Sequence, residues 1–87
     1  MLRISSVMTI DGQRHFKVEG RLMGEFADEL SRVAIEALAD SDVKLDLADV
    51  TFMDHSGARV LRTLRNAGVE LVNPSEFLLV LINGEQP

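Results

Sequence analysis

The chain has 87 residues, of which 46% are hydrophobic and none is cysteine. A chain of this length forms one small domain, residues 1–87, and its lack of cysteine excludes disulfides, thiolate catalysis and cysteine-based zinc sites. Nine Lys and Arg against fourteen Asp and Glu give a net charge of −5, which argues against a phosphate-binding surface and hence against nucleic acid as a partner.

The hydropathy of the chain indicates a protein that does not insert directly into a membrane. No apolar stretch reaches the roughly eighteen residues that cross a bilayer. Met1 leads into alternating polar and apolar residues, which is not the pattern of a signal peptide. We therefore expect a cytoplasmic location, although a membrane complex can hold a soluble subunit of this kind.

The first half of the chain predicts a hairpin followed by a helix. Loose alternation of apolar residues over Leu2–Ile10 and His15–Leu22, with the turn signal Asp11-Gly12 between them, predicts two antiparallel strands. Gly20 predicts a bend or bulge near the end of the second strand. Apolar residues at helical spacing predict an amphipathic helix over Glu25–Ala39, whose acidic residues we interpret as a solvated outer face.

The second half alternates strand and helix signals. Val43–Leu47 predicts a short strand, and the apolar run 49–53 leads into a new element. Helical spacing resumes after Gly57 and ends at Gly68, and Val69–Val72 predicts a further strand. An opening hairpin followed by alternating strands and helices predicts an α/β domain with a mixed, mostly parallel sheet and helices packed on one face.

The C-terminal segment carries the signals of a helix start. Asn73 is the predicted N-cap, Pro74 suits the first helical position and Glu76 completes a capping box, so we predict a helix from Pro74 to about Asn83. Its residues 77–82 are apolar all round and also rich in strand formers. Such a helix needs cover on more than one side, so we expect a homodimer through this segment.

Asp54, His55 and Ser56 contain the residue types of a serine hydrolase triad. Because consecutive side chains point in different directions, they cannot form the nested hydrogen bonds of a triad, and the chain has no G-x-S-x-G elbow. His15 is far from His55 in sequence, and the aspartates within 46–54 lack the spacing of a calcium loop. We therefore expect neither catalysis nor a metal or cofactor.

Ser56 stands at the start of a predicted helix and is followed by Gly57. The first N–H groups of a helix have no intrahelical partner, so a phosphate on Ser56 could be held there. It would add about −1.5 to −2 charges to a potential docking surface, which makes a usable switch. The alternative is that Asp54 or Ser56 does no more than cap the helix.

Three arginines spaced by three residues, Arg59, Arg62 and Arg65, form a basic stripe along the same predicted helix. One interpretation is a docking surface for an acidic partner. The other is a solvated stripe paired with the acidic first helix.

The run Leu45–Gly57 resembles the STAS domain family, the module named for sulfate transporters and anti-sigma factor antagonists. That family shows a strand of the form D-L-x-x-V-x-F-x-D, followed by S-S-G and a helix. The matching positions are Asp46, Leu47, Val50, Phe52, Asp54, Ser56 and Gly57. The order of the predicted elements agrees as well, so the resemblance extends over nearly the whole chain.

The resemblance implies a non-enzymatic signalling module of bacterial transcription regulation. In the anti-sigma factor antagonists of this family, a partner that is both serine kinase and anti-sigma factor phosphorylates the serine before the glycine, and Ser56 holds that position. The unphosphorylated protein would bind this partner and the phosphorylated protein would release it. We expect Asp54, His55 and Gly57 to form the switch loop, and Arg59 and Arg62 to contact the partner.

Two departures from the family pattern keep other roles open. His55 replaces the usual first serine, and the sequence stops where fuller members continue into another strand and helix. Some STAS proteins lack the phosphoswitch and serve as constitutive accessory subunits of a transporter or sensory complex. A third possibility is a sensor of a small molecule or nucleotide, which predicts a pocket beside the start of the helix.

Overall fold

A computed structural model describes residues 1–84 of the chain. Its elements follow the order β1 (Leu2–Met8), β2 (Arg14–Leu22), α1 (Glu25–Leu38), β3 (Val43–Met53), α2 (His55–Asn66), β4 (Glu70–Val72) and α3 (Glu76–Gly84). Within these residues the strands form one sheet in the order β1-β2-β3-β4, in which β1 and β2 are antiparallel and the other pairs are parallel. The predicted α/β architecture, an opening hairpin followed by parallel strands and helices, is confirmed.

The two faces of the sheet differ in polarity, and the helices pack on the apolar one. The buried strand residues on that face include Phe16, Val18, Leu22, Val43, Leu45 and Leu47. They share one core with buried residues of the helices, among them Leu30 of α1, Leu61 of α2 and Leu78 of α3. The opposite face carries charged pairs, with Lys17 Nζ 3.1 Å from an Asp49 carboxylate oxygen and Lys44 Nζ 3.8 Å from one of Glu70.

A hydrogen-bonded turn ends β1 at Met8, two residues earlier than predicted. The Thr9 N–H donates to the Gln13 carbonyl at 2.8 Å, and the Gly12 N–H donates to the Thr9 carbonyl at 3.0 Å. The Thr9 hydroxyl and the Gln13 N–H both donate to the Asp11 carboxylate. These two hydrogen bonds hold the pKa of Asp11 below its usual value, since they favour the charged form.

β3 is one continuous strand, whereas the sequence predicted a short strand followed by a separate apolar run. The nine residues of β2 run alongside the eleven of β3, with register shifts between Lys17 and Glu19 and between Gly20 and Arg21. Gly20 has a φ of 104°, and a Cβ atom there would clash with the Met1 carbonyl oxygen. The bulge predicted at Gly20 is therefore confirmed. It also explains why the alternation along β3 breaks.

The predicted helix in the C-terminal segment is confirmed, but its predicted cap is wrong. Asn73 has a φ of 56° and its side-chain amide donates to Asp46 Oδ1 at 3.3 Å. Ser75 caps the helix instead, because its Oγ accepts from the Leu78 N–H at 3.2 Å. α3 consequently begins at Glu76 and not at Pro74.

α3 is held to α2 by apolar contact and by arginine hydrogen bonds. Leu78 and Ile82 are buried against the core. Arg62 Nη1 donates to the Leu81 carbonyl at 3.3 Å and to the Ile82 carbonyl at 3.1 Å, which satisfies carbonyls at the end of the helix. Arg65 Nη1 donates to Asn83 Oδ1 at 3.0 Å. In these hydrogen bonds Arg62 and Arg65 of the basic stripe contact α3.

Candidate functional site

Asp54 caps α2 and fixes the junction between β3 and that helix. Its Oδ1 accepts from the Gly57 N–H at 2.9 Å, and its backbone carbonyl accepts from the Ala58 N–H at 3.0 Å. Its Oδ2 accepts from the Gly24 N–H at 3.3 Å. Of the two candidate caps, Asp54 and Ser56, it is Asp54 that takes this role, so capping does not occupy the Ser56 hydroxyl.

Gly57 allows the first turn of α2 to lie directly against the end of β2. It is buried, and a Cβ atom at this position would clash with the Leu22 carbonyl oxygen and lie 2.7 Å from Met53 Cγ. Only a residue without a side chain fits there. The glycine that follows Ser56 is thus a packing requirement that fixes where the helix starts.

Ser56 lies in the first turn of α2, directly before this contact. The residue is partly exposed, and its hydroxyl makes no hydrogen bond to any residue within 1–84. The neighbouring His55, which begins the helix, is exposed. The Ser56 hydroxyl is therefore partly accessible and takes no part in the cap of α2.

The two arginines expected to contact a partner have different environments. Arg59 is exposed, three residues after Ser56 and one helical turn along α2. Arg62 is partly buried, and its guanidinium donates to the carbonyls at the end of α3. Arg62 therefore has a structural role within the chain that its spacing in the sequence did not predict.

A hollow of about 520 Å³ lies beside the C-terminal ends of β2 and β3, and the sequence did not predict its residues as a group. It is lined by Arg21, Met23, Thr51 and Phe52. Phe52 pairs with Arg21 across β2 and β3 and is 42% exposed. The register shift at Gly20 is the reason, because it places an aromatic residue of the strand outside the core. The interrupted alternation after Leu47 is the sequence signal that could have indicated this.

A second groove, of about 440 Å³, lies on the charged face of the sheet. Its lining includes Val7, His15, Lys17, Lys44 and Asp46. The hydrogen bond to Asp49 raises the pKa of Lys17 above its usual value, so this ammonium stays charged. This groove is on the face opposite the helices and so is not the pocket beside the helix start that a small-molecule sensor would need.

The described part of the chain has neither a metal-binding cluster nor a membrane-spanning helix. Residues 1–84 contain no group of three or more His, Asp or Glu side chains placed to hold a metal ion. No helix in this range has the length and apolar character needed to span a membrane.

The geometry defines a class: a small α/β domain that presents a partly exposed serine at the start of its second helix, between a capping aspartate and a tightly packed glycine. The chain belongs to the STAS domain family, whose model matches residues 5–83. The family predicted from the run Leu45–Gly57 is thereby confirmed. The comparison with curated protein sequences found no match.

Solved structures with the same fold include two described as anti-sigma factor antagonists. SpoIIAA in its unphosphorylated form is similar with a TM-score of 0.66 and 21% identity, over 93% of this chain and 82% of that one. An STAS domain from Rhodobacter sphaeroides, described as an antisigma-factor antagonist, is similar with a TM-score of 0.60 and 23% identity, over 80% and 82% of the two chains. A Shewanella loihica protein with a SpoIIAA-like fold is similar with a TM-score of 0.59 and 18% identity, over 87% of this chain and 69% of that one. At these identities the likeness shows the shared fold.

Proposed function

We propose that this protein is a non-enzymatic signalling module of the anti-sigma factor antagonist type, which binds a partner that is both anti-sigma factor and serine kinase. Phosphorylation of Ser56 would end that binding. The observation that carries the proposal is the division of roles at the start of α2, where Asp54 caps the helix and leaves the partly exposed Ser56 hydroxyl without a partner among residues 1–84. We infer a bacterial protein that acts in the cytoplasm.

The proposed docking surface comprises Ser56, the exposed Arg59 and the hollow lined by Arg21, Met23, Thr51 and Phe52. A partly exposed aromatic side chain beside a hollow is the kind of feature that anchors a protein interface. Arg59 and Arg21 would favour acidic groups of the partner. Arg62 donates to carbonyls of α3 and so holds α2 and α3 together. A direct contact between Arg62 and the partner stays a prediction.

The electrostatic consequence of phosphorylation supports the switch. A phosphate on Ser56 would bring about −1.5 to −2 charges to the proposed docking surface. In a closed interface those charges lose water and meet the acidic groups that the arginines had attracted. The modified protein would therefore dissociate.

The proposal is tested by incubating the protein with its cognate anti-sigma factor kinase and ATP, followed by intact-mass spectrometry. We expect one added phosphate on the wild type and none on Ser56→Ala. Ser5→Ala is the matched control, because Ser5 is an exposed serine on β1, away from the site, and should leave phosphorylation unchanged. Phosphate on Ser56→Ala, or none on the wild type, would overturn the switch.

The homodimer predicted for the C-terminal segment concerns one face of α3. Phe77, Leu79 and Val80 are exposed there, Val80 by 65%. We infer self-association through this face because burying large apolar side chains is favourable. Sedimentation equilibrium tests it: Val80→Glu should give a monomer at concentrations where the wild type associates, and a wild type that stays monomeric would contradict it.

A further inference from the structure

One carboxylate joins the starts of two helices that are far apart in the sequence. Asp54 Oδ1 accepts from the Gly57 N–H in the first turn of α2, at 2.9 Å. Asp54 Oδ2 accepts from the N–H of Gly24, the N-cap residue of α1, at 3.3 Å, across 30 positions of sequence. Asp54 thus connects the turn before α1 to the segment that carries Ser56.

The Asp54 carboxylate adds a long-range contact to a turn that is otherwise held by local backbone hydrogen bonds, from the Phe26 N–H to the Met23 carbonyl at 3.0 Å and from the Ala27 N–H to the Gly24 carbonyl at 3.1 Å. Gly24 has a φ of 54° and makes no side-chain cap hydrogen bond to α1. Its neighbour Met23 lines the hollow together with Phe52. A change in the Asp54–Gly24 hydrogen bond therefore affects the hollow, whose lining residues are not next to Ser56 in the sequence.

We propose that Asp54 is a positioning residue that transmits the charge state of Ser56 to the Met23–Gly24 turn. The inference rests on the proposed switch at Ser56. A phosphate attached two residues after Asp54 repels its carboxylate and competes with it for the free N–H groups of the first helical turn. The longer and more exposed hydrogen bond, the one from Gly24, breaks first, and the turn and the hollow beside it rearrange.

This mechanism and local repulsion alter different parts of the surface. Local repulsion alters only the interface atoms around Ser56. Coupling through Asp54 also alters the hollow, so that the partner loses its anchoring site as well as meeting the phosphate. The Gly24 amide reports on this coupling directly, because it is the donor of the bond that breaks.

The test is amide hydrogen exchange of the whole chain, followed by NMR, in Ser56→Asp and its neutral counterpart Ser56→Asn. We expect the Gly24 amide to exchange about fivefold faster in Ser56→Asp, which corresponds to the loss of an average hydrogen bond, and to be unchanged in Ser56→Asn. The Val69 amide, which donates to the Leu64 carbonyl at 2.9 Å at the far end of α2, serves as the control and should not respond. A protected Gly24 amide in Ser56→Asp would overturn the proposal.

A second variant separates coupling through Asp54 from other routes. In Asp54→Asn the remaining Oδ1 can still accept from Gly57, whereas the new amide nitrogen cannot accept from Gly24. We expect fast Gly24 exchange in this variant, with no further change when Ser56→Asp is added. A further acceleration on adding Ser56→Asp would mean that the charge acts by another route, and the proposal would be wrong.

The kinase assay and the exchange experiment can fail independently. Absence of phosphate on Ser56 removes the proposed function, although the Ser56→Asp comparison can still show the coupling. Phosphorylation at Ser56 with an unresponsive Gly24 amide leaves the switch in place and removes the role of Asp54 as transmitter.

Discussion

A single added methyl group at Gly57 tests the packing that positions the candidate site. In Gly57→Ala the new Cβ atom would clash with the Leu22 carbonyl oxygen and lie 2.7 Å from Met53 Cγ. The methionine side chain can move, but the carbonyl belongs to the backbone of β2 and accepts a hydrogen bond from the Asp54 N–H at 3.4 Å. Overpacking of this kind costs about 1–3 kcal/mol. The better helix propensity of alanine offsets up to ~1 kcal/mol, so a net loss of about 1–2 kcal/mol is expected.

Urea denaturation followed by circular dichroism measures this loss. With a slope of about 1 kcal/mol per molar urea, typical of a small domain, the midpoint should fall by roughly 1–2 M. Gly84→Ala is the matched control, because its Cβ atom would lie 3.7 Å from Val80 Cγ1, an ordinary contact, and the midpoint should stay unchanged or rise since alanine favours the helix. If Gly57→Ala were as stable as the wild type, α2 could not approach β2 as described.

Three further predictions concern α3, the arginines and the hairpin turn. Leu78→Ala should lower the free energy of unfolding by about 2–5 kcal/mol, because Leu78 is buried. Val80→Ala should lower it by no more than about 0.5 kcal/mol, because Val80 is exposed. Urea denaturation measures both changes. Arg62→Ala should cost about 1–2 kcal/mol in the same assay, after allowance for its partial exposure, whereas Arg59→Ala should be near neutral. Equal effects within either pair would contradict the described packing. Asp11→Ala should be less stable than the wild type at neutral pH, because a carboxyl whose pKa is lowered in the folded state stabilises the fold only while it is ionised. The gap between the two melting temperatures should therefore close as the pH falls below about 4. A gap that persists in acid would show that Asp11 does not act through its charge.

Local periodicity was sufficient to predict the elements whose environment is uniform along their length. The helix predicted over Glu25–Ala39 is observed over Glu25–Leu38, and the helix end predicted at Gly68 is observed, with a φ of 110° at that residue. In α1 the buried residues Ala27, Leu30 and Ala34 recur at helical spacing, so the sequence repeat matches the face that packs on the core. The helix in the C-terminal segment was predicted from the signals of a helix start and not from periodicity, and it is observed from Glu76 instead of Pro74.

The features that the sequence did not predict depend on contacts between distant parts of the chain. The Met1 carbonyl occupies the space that a side chain at residue 20 would need, and the register between β2 and β3 shifts next to this glycine. The choice of Ser75 over Asn73 as cap depends on Asp46, which accepts the Asn73 amide from 27 positions away. No local signal carries either contact.

The candidate site was predictable to the same limit. The motif around Ser56 and Gly57 was sufficient to predict the candidate acceptor serine and the helix start. It could not show that Asp54 also binds Gly24, or that Phe52 lines a hollow on the surface, since both depend on how β2 lies beside β3. The Asp54–Gly24 contact and the lining of the hollow could therefore be identified only from the fold.

The affinity of the anti-sigma factor for the unmodified and the Ser56-phosphorylated protein, compared by isothermal titration calorimetry, tests the proposed switch most directly. We expect phosphorylation to raise Kd by at least about tenfold, because a buried dianion opposes the docked state. Equal affinity for both forms would contradict it, and the chain would then behave as a constitutive binding subunit.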